Sequence, residues 1–111
     1  MRKTWIALAI ALALPVILAA AAAEIHGTVS DNGRPVAKGV ALKLDCGGTI
    51  ASGRTDEFGG YSIKIAATGE CTLSVDYKNA AGSLKVTVYE KPSRYDIDVR
   101  VDGDKLTLTR K

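Results

Sequence analysis

From Glu24 onward, apolar and polar residues alternate with a period of two through almost the whole chain, and this pattern predicts an all-β domain. Turn signals recur roughly every 8–12 residues, the rhythm of small sandwiches and barrels. No segment has convincing helical spacing. One apolar and one polar face per strand fits antiparallel sheets packed across a single core. The expected architecture is an antiparallel Greek-key β-sandwich of about 7–8 short strands.

The elements follow in order. Ile25, Gly27 and Val29 alternate with His26, Thr28 and Ser30, and Asp31-Asn32-Gly33-Arg34-Pro35 forms a turn in which Asn-Gly can take positive φ. Val40, Leu42, Leu44 and Cys46 alternate with Ala41, Lys43 and Asp45, ending at Gly47-Gly48. Thr49–Thr55 reads as a less regular strand, and Asp56-Glu57-Phe58-Gly59-Gly60 as a second turn. Tyr61, Ile63 and Ile65 form the next apolar face, followed by a turn at Ala67-Thr68-Gly69. Cys71, Leu73, Val75 and Tyr77 continue the pattern, Lys78–Gly82 reads as a loop, and Leu84, Val86 and Val88 alternate with Lys85, Thr87 and Tyr89. After Pro92, Tyr95, Ile97, Val99 and Val101 form a strand, Asp102-Gly103-Asp104 a tight hairpin, and Leu106 and Leu108 the last strand.

Residues 1–23 read differently. Arg2 and Lys3 give a basic start, Ile6 to Leu18 is an apolar run broken only by Pro15, and Ala19 to Ala23 are all small. That is the order of a secretory signal peptide with cleavage before Glu24. The rival is an uncleaved anchor, because Ile6–Ala23 is nearly long enough to span a bilayer. The alanine-rich tail of the run and Pro15 favour the signal. The remaining domain, residues 24–111, has 88 residues, enough for one small domain.

Without Arg2 and Lys3 the side chains number 13 basic and 12 acidic, so the apparent basicity is partly a property of the leader. The charges are interspersed, as at Lys43/Asp45 and Asp98/Arg100. Nucleic-acid binding needs clustered Lys and Arg, so it is excluded. Two cysteines, Cys46 and Cys71, in an exported chain favour one disulfide closing a loop of about 25 residues. A zinc site would need more ligands than two sulfurs and one histidine supply.

The run from Gly27 to Leu44, with Asp31-Asn32-Gly33-Arg34-Pro35-Val36-Ala37-Lys38-Gly39-Val40 at its centre, is followed by Thr55-Asp56-Glu57-Phe58-Gly59-Gly60-Tyr61. Together they resemble the carboxypeptidase regulatory-like domains, small β-sandwiches of transthyretin-like (prealbumin-like) topology. The likeness covers the first half of the domain closely and the second half only in strand rhythm. It implies a structural use of the motif. Gly33 and Pro35 would shape a turn, Thr55-Asp56 would cap one through side-chain-to-backbone hydrogen bonds, Gly59 or Gly60 would take positive φ, and Tyr61 would set its ring against the core. Transthyretin-like hydrolases that act on hydroxyisourate use several histidines and end in Tyr-Arg-Gly-Ser. Here His26 stands alone and the chain ends Leu108-Thr109-Arg110-Lys111, so the resemblance does not carry that activity over.

Few residues could do chemistry. His26, the one histidine, falls on the outward face of the first strand with no nucleophile spaced to pair with it. Asp96, Asp98, Asp102 and Asp104 lack the spacing of a calcium loop and read as one outer strand face plus turn chemistry. The tryptophan, Trp5, belongs to the leader. Tyr61, Tyr77 and Tyr95 fall in core register, which leaves Tyr89 and Phe58 as outward aromatics.

The expected protein is therefore exported, periplasmic or extracellular, and not an enzyme, with no cofactor, no metal and no membrane contact after signal cleavage. Its expected work is protein binding or assembly at the cell envelope, the alternative being weak carbohydrate binding, so the partner is an unknown protein or an envelope glycan. A small hydrolase comes third. The candidate contact loops are Asn32–Pro35, Asp56–Gly60 and Lys78–Ser83, with Asn32, Arg34, Asp56, Phe58, Lys78, Asn79 and Tyr89 as candidate residues. An exposed edge strand offers a second route.

Overall fold

A computed structural model describes residues 23–111. Residues 1–22, nearly all of the proposed leader, lie outside the described residues. Within them the fold is all-β, with ten strands in one strongly curled sheet ordered β2-β1-β9-β10-β7-β6-β3-β4, while β5 and β8 also pair with β1. The strands are β1 (Ala23–Asp31), β2 (Arg34–Pro35), β3 (Ala41–Cys46), β4 (Thr49–Arg54), β5 (Gly60–Ile65), β6 (Gly69–Tyr77), β7 (Ala80–Val88), β8 (Ser93–Arg94), β9 (Ile97–Asp102) and β10 (Lys105–Arg110). No described helix is long and apolar enough to cross a membrane.

Three expectations change. The sheet is mixed rather than antiparallel, because β1 runs parallel to β8 and β9, and β7 parallel to β10. It is one continuous curled sheet rather than a sandwich, because its strands hydrogen-bond along one unbroken path, and it has ten strands rather than 7–8, of which β2 and β8 are two-residue pieces. Lys78–Gly82 is not a loop. Tyr77 pairs with Ala80 across a two-residue turn, and the strand resumes at Ala80.

The period-two pattern sets which side chains are buried. Ile25, Val29, Leu44, Leu73, Val75, Ile97 and Val99 are all 1% exposed or less and fill the concave side of the curl. Burying such side chains is worth about 1.5–3 kcal/mol each. β1 is the organising strand. Its first part pairs with β5 and β8, and its last residues pair with β2 and β9. Gly27 marks the change of partner, because a Cβ there would collide with the carbonyl of Tyr95. At the far end of the path β4 comes to lie against β5, where a Cβ on Gly53 would meet the Ile63 side chain at 2.9 Å.

Cys46 and Cys71 form a disulfide between the adjacent strands β3 and β6, with Cα atoms 4.3 Å apart. The corner between β4 and β5 is clasped by the Thr55–Tyr61 segment. Buried Thr55 donates its hydroxyl to the Ala37 carbonyl at 2.7 Å and accepts from the Val40 N–H at 2.9 Å. The Asp56 carboxylate accepts from the N–H groups of Phe58 and Gly60, both at 2.8 Å. Gly59, at φ 78°, accepts from the Val29 N–H at 2.8 Å. Tyr61 is buried and donates its hydroxyl to the Tyr95 carbonyl at 2.7 Å.

Candidate functional site

Strand direction decides which candidate residues meet. Thr28 pairs with Gly60, so the Asp56–Gly60 turn sits toward the Asp31 end of β1. The Tyr77 hydroxyl donates to Asp31 Oδ2 at 2.9 Å, so the Lys78-Asn79 turn shares that end. Asn32, Arg34, Asp56, Phe58, Lys78 and Asn79 therefore cluster at one end of the sheet. Tyr89 does not join them. It follows Val88, which pairs with Gly69 at the opposite end of β6, roughly 25 Å away along the strand. Phe58 and Tyr89 are both exposed, at 74% and 59%, but no single sugar ring could lie on both.

At the clustered end Lys78 Nζ lies 3.8 Å from Asp31 Oδ2. Tyr77 is half-buried rather than in the core. Desolvation, then its hydrogen bond to Asp31, pushes its phenol above the usual tyrosine range. Burial does the same to Tyr61. Asp96 precedes β9 rather than belonging to it, and its carboxylate accepts from Arg94 Nε at 2.9 Å, Thr28 N at 3.0 Å and the Thr28 hydroxyl at 3.2 Å. The bond from Arg94 leads the causes that lower its pKa. Asp98 Oδ1 is buried without a hydrogen-bond partner among the described residues. His26 faces outward and is half-buried on β1.

Sequence reading missed the groove on the convex face of β4, β3 and β6. Lys43 sits between Ser52 and Ser74, and Ala41 between Arg54 and Asp76, across these three strands. The small Ala41, Ser52 and Ser74 leave a depression of about 530 Å³, bordered by the longer Lys43, Arg54 and Asp76. Among the described residues the ion pairs are Lys78–Asp31 and Arg94–Asp96, so the groove's charges are unpaired. Arg54 Nη1 donates to the Gly39 carbonyl at 3.1 Å, which holds its guanidinium at the groove's end. The signal was present as small and hydroxyl residues at outward positions of three strands, but only the pairing register aligns them.

The described chain is thus an all-β domain with a polar surface groove and a cross-strand disulfide. No protein-family model matches it, and no curated protein does. Among solved structures it is similar to a candidate carbohydrate-binding protein from Bacteroides uniformis, with TM-score 0.55 and 20% identity over 79% of this chain and 51% of that one. The chain therefore spans about half of that protein's structure. A 9R-lipoxygenase from Cyanothece also matches, with TM-score 0.46 and 14% identity over 80% of this chain and 18% of that one. At these identities the first likeness is one of fold.

Proposed function

We propose that this protein is a non-catalytic carbohydrate-binding module. The observation that carries the reading is the β4–β3–β6 groove, where the side chains of Lys43, Ser52, Ser74 and Asp76 converge with no side-chain hydrogen bond among the described residues. A sugar presents hydroxyls that both donate and accept. Asp76 supplies an acceptor, Lys43 and Arg54 supply donors, and the serines can do either. The volume suits a small ligand. No aromatic ring lines the groove, so binding rests on polar contacts exchanged with water, and the expected affinity is weak, about millimolar to micromolar. Fold similarity to the B. uniformis protein supports the same reading. Against catalysis stand two facts. Both cysteines are tied up in the disulfide, and His26 lies on β1, outside this groove.

Export and kinship with the carboxypeptidase regulatory-like sandwiches belong to this proposal. The disulfide supports an oxidising compartment, and the Thr55–Tyr61 clasp supports the kinship by using the motif as those domains would. The test is a neutral glycan array followed by titration calorimetry. Lys43→Ala with Asp76→Ala should abolish binding and leave the unfolding midpoint nearly unchanged, since both are exposed. Glycan binding that survives the double variant would place the site elsewhere.

One observation favours the second reading, a protein partner. Phe58 is 74% exposed on a turn held by the Asp56 carboxylate, and a large apolar side chain already fixed in place is a good anchor for a protein pocket. An envelope protein captured by the native chain and lost with Phe58→Ala would support it.

A further inference from the structure

Resting on the carbohydrate reading, we propose that the ligand is an extended, uncharged chain of β-1,4-linked sugars, and that it crosses the strands through two hollows that share Asp76. The first hollow is the β4–β3–β6 groove. The second, of about 430 Å³, lies beside it, bordered by Asp76, the Lys78-Asn79 turn, Ala81 and Asp104. Asp76 borders both.

The pairing register explains why there are two. Arg54, Ala41, Asp76, Ala81 and Lys105 stand side by side on the adjacent strands β4, β3, β6, β7 and β10. Residues paired across strands share a face, so all five project from the convex side. Ala41 and Ala81 are the short side chains of this row, and each leaves a hollow next to Asp76. β7 and β10 are in close contact here, since a Cβ on Gly82 would collide with the Leu106 carbonyl, so the row continues to Lys105 without a gap. Neighbouring strands lie about 4.8 Å apart, which sets the two alanines about 10 Å apart, the length of a disaccharide, and the whole row at about 19 Å.

A sugar ring carries C–H groups on its flat face and hydroxyls around its edge. Each alanine offers a methyl to the first, and the polar groups beside the row serve the second. Asp76 is exposed and forms no ion pair among the described residues, so its carboxylate can accept hydroxyls from the sugars on either side of it. At the far end Asn79, held at φ 62° in the two-residue turn, presents an amide that both donates and accepts. Arg54, Asp76 and Lys105 alternate in sign along the row, and Lys43 and Asp104 lie beside it, so neither sign dominates and an uncharged ligand suits the surface. A single sugar would occupy one hollow. Two hollows in line, one disaccharide apart and with a shared acceptor, fit a chain that runs straight, as β-1,4 links between sugars with equatorial hydroxyls make it run.

The test is calorimetric titration of the folded protein with β-1,4-linked glucose and xylose di-, tetra- and hexasaccharides, and with the α-1,4-linked glucose hexasaccharide, whose chain coils. In one β-linked series or both, the tetrasaccharide should bind about tenfold more tightly than the disaccharide, a difference of about 1.4 kcal/mol. The β-linked hexasaccharide should add little, and the α-linked one should bind no better than a disaccharide. Ala81→Ile, at an exposed strand position, fills the second hollow. It should bring the tetrasaccharide down to the affinity of the disaccharide and leave the disaccharide and the unfolding midpoint unchanged. Asn79→Gly, which keeps the positive φ, should weaken the tetrasaccharide and spare the disaccharide. Equal affinity for the two lengths in the native chain would overturn the inference and leave the carbohydrate reading standing, as would a tetrasaccharide indifferent to Ala81→Ile. Equal loss of both lengths in that variant would mark a structural role and overturn it too. If no β-linked series binds while other glycans on the array do, the inference falls alone, and if the array is also blank, both readings fall together.

Discussion

The two sides of the curled sheet are held by different kinds of interaction. On the β3–β4–β6–β7 side, two-residue turns at Gly47-Gly48 and Lys78-Asn79 join successive strands, and a disulfide ties β3 to β6. All four turn residues have positive φ, as tight hairpins require. On the β1–β5–β8 side the contacts are long-range. Asp96 holds Thr28 from 68 residues away, and Tyr61 reaches the Tyr95 carbonyl from 34. The first side is built from local units and one crosslink, so damage should stay local. The second depends on segments meeting in a shared geometry, so damage should spread.

The largest expected effect lies on the long-range side. Gly27→Val would place atoms on the Tyr95 carbonyl, which cannot retreat without breaking the Tyr95 N–H bond to His26. A loss of about 4 kcal/mol, or failure to fold, is expected in denaturant titration. Gly48→Ala meets nothing within 4 Å and carries only the strain of positive φ, about 1 kcal/mol. Similar losses for the two would erase the contrast.

Reducing the disulfide, or replacing both cysteines with serine, comes next. A closed loop of this length contributes about 3 kcal/mol in the chain-entropy model. Denaturant titration with and without reductant should show that shift, and hydrogen exchange should show β1 and β5 still protected. Loss of protection in β1 would mean that the two sides are coupled.

The smallest effect belongs to Asp96→Asn. The folded-state pKa of Asp96 is lowered, chiefly by Arg94, so its charge stabilises the fold above the ordinary aspartate pKa. That contribution is lost as pH falls through the lowered value. In the variant, stability at neutral pH should drop by under about 1 kcal/mol, because the pair is partly exposed. The acid limb of the stability profile should also flatten. An unchanged acid limb would remove Asp96 from the account of how β1 is held.

Several parts of this molecule were legible as residues. Asn32-Gly33 and Gly47-Gly48 are turn formers, and strands β3, β5 and β6 show clean alternation. The break after Tyr77 was legible as a loop over Lys78–Gly82, but its length was not, because lysine seldom takes positive φ and Ala80–Gly82 shows no alternation that would mark it as strand. β8 was not legible either, since two residues have no periodicity to read. Only pairing with β1 makes Ser93-Arg94 a strand.

The candidate contact residues divide the same way. Phe58 was recognisable as exposed, because a turn tip is exposed whatever surrounds it. That Phe58 and Tyr89 sit at opposite ends depends on strand direction, a property of the whole sheet. The groove is further from reach, because Lys43, Arg54 and Asp76 come from three strands and each alone looks like an ordinary solvated residue.

The sequence by itself determined the all-β class, the faces that would be buried and the cysteine pair, because side-chain alternation and turn chemistry act over a few residues. Tertiary structure alone decided the parallel pairings, the curl and the groove. Those depend on which distant strand hydrogen-bonds to which, and that is settled only when the whole core closes.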